Sequence, residues 1–220
     1  MRINKFIASG SDLSRRAADT AIEAGRVLVN GQAPESGQDI TTADQVTLDG
    51  RVITPAVKTI TIMLNKPPTY VVSRDGQGSE TIYDLLPPEY QLLNPIGRLD
   101  KYSSGLLLLS NDGQLAQQLT HPSQQKVKVY EVLLDKPLQP LHRQMISDHG
   151  IMLEDGVSKL QLERQRDGDD IGWIITMREG RNRQIRRTFE ALGYRVTHLH
   201  RTQFGPYTLG DLAKGSIKPV

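Results

Sequence analysis

The sequence predicts an α+β protein built in two units, and three observations point that way. Near the start, apolar residues recur at helical spacing and then give way to short alternating runs closed by Asn30-Gly31 and Asp49-Gly50, so a pair of helices should precede a small hairpin layer. A stretch over 52–60, interrupted by Pro55, separates this part from the rest and sets the expected domains at 1–58 and 59–220. Beyond it, helix and strand signals mix without the strict βαβ repetition of a doubly wound fold. The second unit should therefore hold a mixed, mainly antiparallel sheet with flanking helices.

In the first unit Ile3, Phe6 and Ile7 stand at i, i+3 and i+4, giving a helix that Gly10 ends. Ser14 is an N-cap for a second helix over 15–24, which stops at Gly25 because glycine accepts the backbone that closes a helix. Residues 26–29 and 46–48 alternate as strands. In the second unit, 60–64 reads as a strand, 70–73 as an extended segment, 74–78 as a loop, and 81–86 as a short helix that Pro87-Pro88 cannot continue. Leu106-Leu107-Leu108-Leu109 lies between turn residues and reads as a strand buried on both faces, although periodicity alone also fits a short helical piece. A helix over 113–119, a strand over 127–134 and a helix over 138–147 follow. Two strands, 157–162 and 171–177, flank the polar turn 167–170, and the last elements are a helix over 182–192 and a strand over 196–200.

Composition narrows the chemistry. The 220 residues include no cysteine, which excludes disulfides, thiolate nucleophiles and cysteine-bound metals. Five histidines are scattered without ligand spacing, so no metal site is expected. No apolar segment approaches the ~18 residues of a membrane span, and the start lacks the apolar core of a secretory signal. A cytoplasmic protein with no membrane partner is the expectation, and a monomer, since no long exposed apolar stripe is visible. Net charge is only +2, so the placement of the basic residues matters more than their number.

Three features carry chemistry. In the first, Gly97-Arg98-Leu99-Asp100, an extended backbone would turn Arg98 and Asp100 to one side and Leu99 to the core; the plain alternative is a structural Arg98–Asp100 pair. Seven arginines between 178 and 201 face only Glu179 and Glu190, which makes a polyanion the natural partner, with a solvated helix face as the alternative. Tyr130 sits within a strand, where it could fill core or stack on an unstacked base.

Residues 1–31, with Arg-Ile-Asn-Lys-Phe-Ile-Ala, Ser-Arg-Arg-Ala-Ala-Asp and Ala-Gly-Arg-Val-Leu-Val-Asn-Gly, resemble the S4 RNA-binding domain. That resemblance makes Lys5, Arg15, Arg16 and Arg26 candidate phosphate contacts. Arg15 and Arg16 also stand at the unfavourable end of a helix for their charge, which favours a ligand for them, with solvated first-turn residues as the plain alternative. Gly97-Arg98-Leu99-Asp100, Ser104-Gly105 with the leucines, Asn111-Asp112-Gly113, Tyr130 in Lys-Val-Tyr-Glu-Val, and Glu179-Gly180-Arg181-Asn182-Arg183-Gln184-Ile185-Arg186-Arg187 look like the RsuA/RluB-type ribosomal RNA pseudouridine synthases. Leu64-Asn65-Lys66-Pro67, Arg201-Thr202, Gly205-Pro206 and the closing Thr208-Leu209-Gly210-Asp211-Leu212 extend the likeness over almost the whole chain.

The resemblance implies that Asp100 is the nucleophile, that Arg186 pairs with it, that Tyr130 stacks on the target base and helps remove a proton, and that Arg98 fills the gap left by a flipped-out uridine. It implies RNA contacts for Arg181, Arg183 and Arg187, no metal and no cofactor, and a partner that is ribosomal RNA or a ribosomal assembly intermediate, with the large subunit favoured. Ser103 and Ser110 replace threonines common in that family. Thr69 replaces a glycine, so the backbone there is expected to differ. Competing readings are a non-catalytic RNA-binding or ribosome-assembly factor on the same scaffold, and a synthase acting on transfer or messenger RNA.

Overall fold

Helix α1 (Ile3–Gly10) turns Ile3, Phe6 and Ile7 inward, as their spacing requires. The computed structural model describes residues 1–35, 37–41, 43–54 and 59–220, and falls into two units, Met1–Thr59 and Ile60–Val220. The centre of the predicted linker, 55–58, lies outside the described residues. Helix α2 (Arg15–Glu23) is capped by Ser14, whose hydroxyl accepts from the Ala17 N–H at 3.1 Å. Strands β1 (Val27–Val29), β2 (Val46–Leu48) and β3 (Arg51–Val52) form an antiparallel layer in that order. Asp49 and Gly50, at φ 51° and 74°, make the tight turn from β2 to β3. Asn30-Gly31 also turns, at φ 51° and 82°, but closes only a Val29–Gln32 bridge, and the strand partner of β1 is β2. Ala18, Ala21, Val27 and Val46 complete the core over α1.

The second unit is organised on one nine-stranded sheet. Its elements in chain order are β4 (Thr61–Lys66), β5 (Asn94–Ile96), β6 (Ser104–Ser110), α3 (Gly113–Thr120), β7 (Lys128–Leu134), α4 (Pro140–Gln144), β8 (Ile151–Leu153), β9 (Gly156–Ser158), β10 (Gln161–Arg164), β11 (Gly172–Met177), α5 (Gln184–Glu190), β12 (Val196–Phe204), β13 (Tyr207–Thr208) and β14 (Ile217–Pro219). The spatial order is β10-β11-β7-β12-β6-β4-β14, with β5 on β6 and β13 on β12, while β8 and β9 form a separate hairpin. All pairs are antiparallel except β12 with β6, so the mixed, mainly antiparallel sheet is as the sequence predicts.

Strand β6 is buried along its whole length. Leu107 and Leu109 enter one core and Leu106 and Leu108 another, which is why the run is uniformly apolar instead of alternating. Several boundaries differ from expectation. Residues 81–86 form a 3-10 turn (Ile82–Leu85) held by a Thr81–Asp84 capping box. The predicted helix over 138–147 is α4 followed by a π-helical turn (Met145–His149). The predicted strand 157–162 is two strands, β9 and β10, and the hairpin it starts with was not expected. Helix α5 starts at Gln184, two residues later than predicted, and this changes the site.

Candidate active site in the second unit

Asp100 lies on the loop between β5 and β6. Leu99 enters the core beside Leu107, Tyr130 and Ile185, Arg98 is exposed, and the Asp100 side chain stays 34% exposed. The buried leucine thus anchors the loop while its neighbours face out. The loop borders a cleft of about 850 Å³ whose lining holds eight lysines and arginines against two carboxylates, those of Asp100 and Glu179. Tyr130 lines the same cleft and is buried.

The arginines divide sharply in what they touch. The expected Asp100–Arg186 ion pair is not formed: the guanidinium 3.8 Å from the Asp100 carboxylate is that of Arg183. Arg183 precedes α5 in a left-handed conformation, φ 46°, which sends its side chain off the helix face. Arg186 does not line the cleft. It donates to the Val196 carbonyl at 2.8 Å and, at 3.3 Å, to the Tyr102 carbonyl and the Ser103 hydroxyl, bracing the loop behind Asp100. Burial and the Arg183 charge push its pKa below the usual arginine value, while the Asp100 charge opposes them.

Arg181 and Arg187 are engaged within the protein. Both pair with Asp155 in the β8–β9 turn, at 2.9 and 2.7 Å, and Arg181 further donates to the carbonyls of Asp155, Gly156 and Val157. They tie the hairpin to α5, and Arg181 also lines the cleft. Asp155 lies far upstream, so counting acidic residues within 178–201 could not reveal it.

A row of residues across five strands builds the floor. Ile175 on β11 stands opposite Tyr130 on β7, Tyr130 opposite Arg201 on β12, Arg201 opposite Gly105 on β6, and Gly105 opposite Lys66 on β4. A Cβ at Gly105 would lie 2.3 Å from the Arg201 carbonyl oxygen, and its φ is 103°, so only glycine allows β6 and β12 to approach this closely. Lys66 is fully buried, and its ammonium donates to the carbonyls of Pro67, Asp100, Lys101 and Ser103. Thr69, also on this side, donates its N–H to the Lys101 carbonyl at 2.6 Å. Its φ of 77° is a backbone that favours glycine, so threonine is accommodated there under strain.

Sequence reasoning left the role of Lys66 open and gave none to Lys128 and Arg201. A period-two signal was present: Lys128 shares a strand face with Tyr130, and Arg201 with Leu199, and all four line the cleft.

In the first unit Arg15, Arg16 and Arg26 are exposed and Lys5 is partly so. Arg26 is engaged by Asp49 through two hydrogen bonds, at 2.8 and 2.5 Å, and Arg15 donates to Asn4 at 3.2 Å. No helix among the described residues is long and apolar enough to cross a membrane.

A carboxylate set among arginines and lysines on a mixed sheet suits a polyanionic ligand. Comparison with known proteins defines it further. Residues 1–33 match the S4 domain model and 60–191 the RNA pseudouridylate synthase model. The chain is 38% identical to an uncharacterized RNA pseudouridine synthase of Aquifex aeolicus, over 100% of this chain and 90% of that protein. It is 35% identical to ribosomal large subunit pseudouridine synthase B of Bacillus subtilis, with coverage of 100% and 91%. It is also 33% identical to ribosomal small subunit pseudouridine synthase A of Pasteurella multocida, with 100% and 96%. A crystal structure of a pseudouridylate synthase aligns with a TM-score of 0.71 at 31% identity, covering 100% of this chain and 96% of that one. The chain belongs to the RNA pseudouridylate synthase family and is an RNA pseudouridine synthase carrying an S4 domain.

Proposed function

We propose that the enzyme isomerises a uridine of ribosomal RNA, with Asp100 as the nucleophile acting on a base turned out of the RNA into the cleft. The bond between uracil N1 and ribose C1′ opens, the base rotates, a bond forms from C5 to C1′, and C5 loses its proton as N1 takes one up, so atoms and charge balance. The change is an isomerisation that needs no oxidant, reductant or co-substrate. The observation that carries this reading is the setting of Asp100: a partly exposed carboxylate in a basic cleft, shared with Tyr130 and 3.8 Å from Arg183. A neighbouring cation orients a carboxylate for attack. Arg183 supplies that contact directly, and Arg186 supports it by holding the Tyr102–Ser103 backbone.

In the same reading Tyr130 stacks on the uracil and assists the late proton removal, Arg98 enters the gap in the RNA, and Lys5, Arg15 and Arg16 meet phosphates of the surrounding RNA. The substrate is ribosomal RNA or an assembly intermediate, met in the cytoplasm by a monomeric enzyme. Large-subunit RNA is preferred on the slightly higher identity, 35% against 33%.

Asp100→Asn should abolish tritium release from 5-tritiated uridine in ribosomal RNA while RNA binding survives. Normal release would sink the nucleophile assignment. Mapping pseudouridine in cells with and without the gene tests the substrate, and a change confined to transfer RNA would overturn it.

A further inference from the structure

The cations around the cleft differ in whether a carboxylate answers them. Arg181 and Arg187 share Asp155, and Arg183 faces Asp100. Arg201 and Lys128 have no ion-pair partner among the described residues. Arg201 is only 2% exposed. Its Nε donates to the Leu106 carbonyl at 2.8 Å, yet its Nη2 is buried without a partner. Lys128 donates only at the long distances of 3.4 and 3.3 Å, to the Lys126 and Glu179 carbonyls. Both lie over one ring: the Arg201 guanidinium is 4.7 Å and the Lys128 ammonium 5.6 Å from the Phe204 centroid.

A buried guanidinium beside a half-buried ammonium is costly unless an anion joins them, and a ring face offsets only part of that cost. Burial and the Arg201 charge push Lys128 below the usual lysine range, and the Glu179 carboxylate, which forms no ion pair with it, offsets only part of this. The position of the pair says which anion fits. Lys128 lies two residues from Tyr130 on β7, Arg201 stands opposite Tyr130 on β12, and all three line the cleft. A nucleotide with its base on Tyr130 would bring its own backbone to this pair.

We propose that Arg201 and Lys128, braced on Phe204, form an anion subsite that takes one phosphodiester adjoining the uridine engaged by Asp100. This rests on the reading of the cleft as the site of RNA modification. It assigns to the floor of the cleft a grip on the strand that is separate from the chemistry at Asp100 and from the surface cations of the S4 unit.

The test measures binding of a short oligouridylate by fluorescence anisotropy across a potassium chloride series, with the full chain carrying Asp100→Asn so that turnover plays no part. Adding Lys128→Met should reduce the slope of log affinity against log salt by about 0.7, the release expected for one single-strand phosphate contact. On an oligouridylate with neutral methylphosphonate linkages the same substitution should make no difference. Arg201→Gln should behave alike, and if it fails to fold by circular dichroism Lys128→Met decides alone. An unchanged slope, an equal loss on the methylphosphonate oligonucleotide, or no salt-dependent binding at all would overturn the proposal. Absent tritium release from the unsubstituted chain would instead count against the isomerase reading and leave the slope to judge the subsite.

Discussion

Replacing Lys66 with methionine should remove turnover while sparing most of the stability. The lysine is 0% exposed, and its ammonium gathers four carbonyl oxygens, those of Pro67 at 2.9 Å, Asp100 at 3.3 Å, Lys101 at 3.4 Å and Ser103 at 2.8 Å. Burial lowers its pKa from 10.5 to about 8, against the pull of the Asp100 carboxylate. Holding the charge there costs roughly 3 kcal/mol, which methionine would relieve. Methionine would also leave the two best-bonded carbonyls without a donor, at about 1–3 kcal/mol each. These terms oppose, so net destabilisation should stay within about 3 kcal/mol, or a fall in Tm of no more than about 10 °C. Loop position has no such compensation, because without the ammonium four oxygens converge on an apolar tip. A displacement of Asp100 by about 1 Å would cost on the order of 100-fold in rate. Tritium release and a thermal melt on one preparation test this, and wild-type turnover in Lys66→Met would refute it. pH gives an independent check. Between about 8 and 10.5 the unfolded lysine keeps its proton and the folded one loses it, so wild-type stability should rise with pH through that window. Turnover should fall as pH rises through about 8, where the folded ammonium that shapes the loop discharges. Lys66→Met should show neither trend.

Thr69→Gly should stabilise the protein: relief of the strained backbone is worth about 1–3 kcal/mol against about 0.4–1 kcal/mol for the freer unfolded chain, and a lower Tm would contradict the account of Thr69. Asp155→Asn should lower stability at neutral pH only. Arg187 first, and Arg181 with it, hold the Asp155 carboxyl below the usual carboxylate range, so its contribution exists above that range and disappears as pH falls through the lowered value. Urea midpoints that differ equally at neutral and strongly acid pH would refute the clamp. Tyr130→Phe should bind RNA as the wild type does but turn over more slowly, and Tyr130→Ala should also lose about 1–3 kcal/mol of binding; full turnover by the phenylalanine variant would remove the phenol from the reaction.

How much of this could be read beforehand depends on how local each cause is. The first helix pair, the leucine strand and the Asp49-Gly50 turn were legible because spacing, apolar content and left-handed turn residues act within a few positions. The break between β9 and β10 was hidden, since Val157 to Leu162 continues an acceptable strand pattern across it. Strand β14 was missed because its three residues end in a proline, which only a sheet edge tolerates. Asp155 was invisible as the partner of Arg181 and Arg187 because its turn meets α5 only after folding.

The Asp100 ion pair shows the same limit at the site itself. An uninterrupted helix from 182 leaves Arg183, Arg186 and Arg187 on or beside one solvated face, and the family resemblance alone singles out Arg186 as the partner of Asp100. Arg183 instead adopts a left-handed backbone that few residues other than glycine and asparagine enter, and propensity gives no reason to expect an arginine there. That one residue delays the helix and turns its own guanidinium to the carboxylate, while Arg186 is spent on the carbonyls of Val196 and Tyr102 and the hydroxyl of Ser103. The residues of the site were therefore recognisable from their motif, whereas the division of labour between two arginines three positions apart was not. If Arg183 holds the carboxylate and Arg186 holds the loop, exchanging either for lysine should separate the two roles. Arg183→Lys should keep the loop and lose part of the turnover, because a flexible ammonium replaces a planar guanidinium beside Asp100. Arg186→Lys should reduce both stability and turnover, since one ammonium cannot span three acceptors placed for a fork. Equal behaviour of the two variants in melt and rate would refute the division.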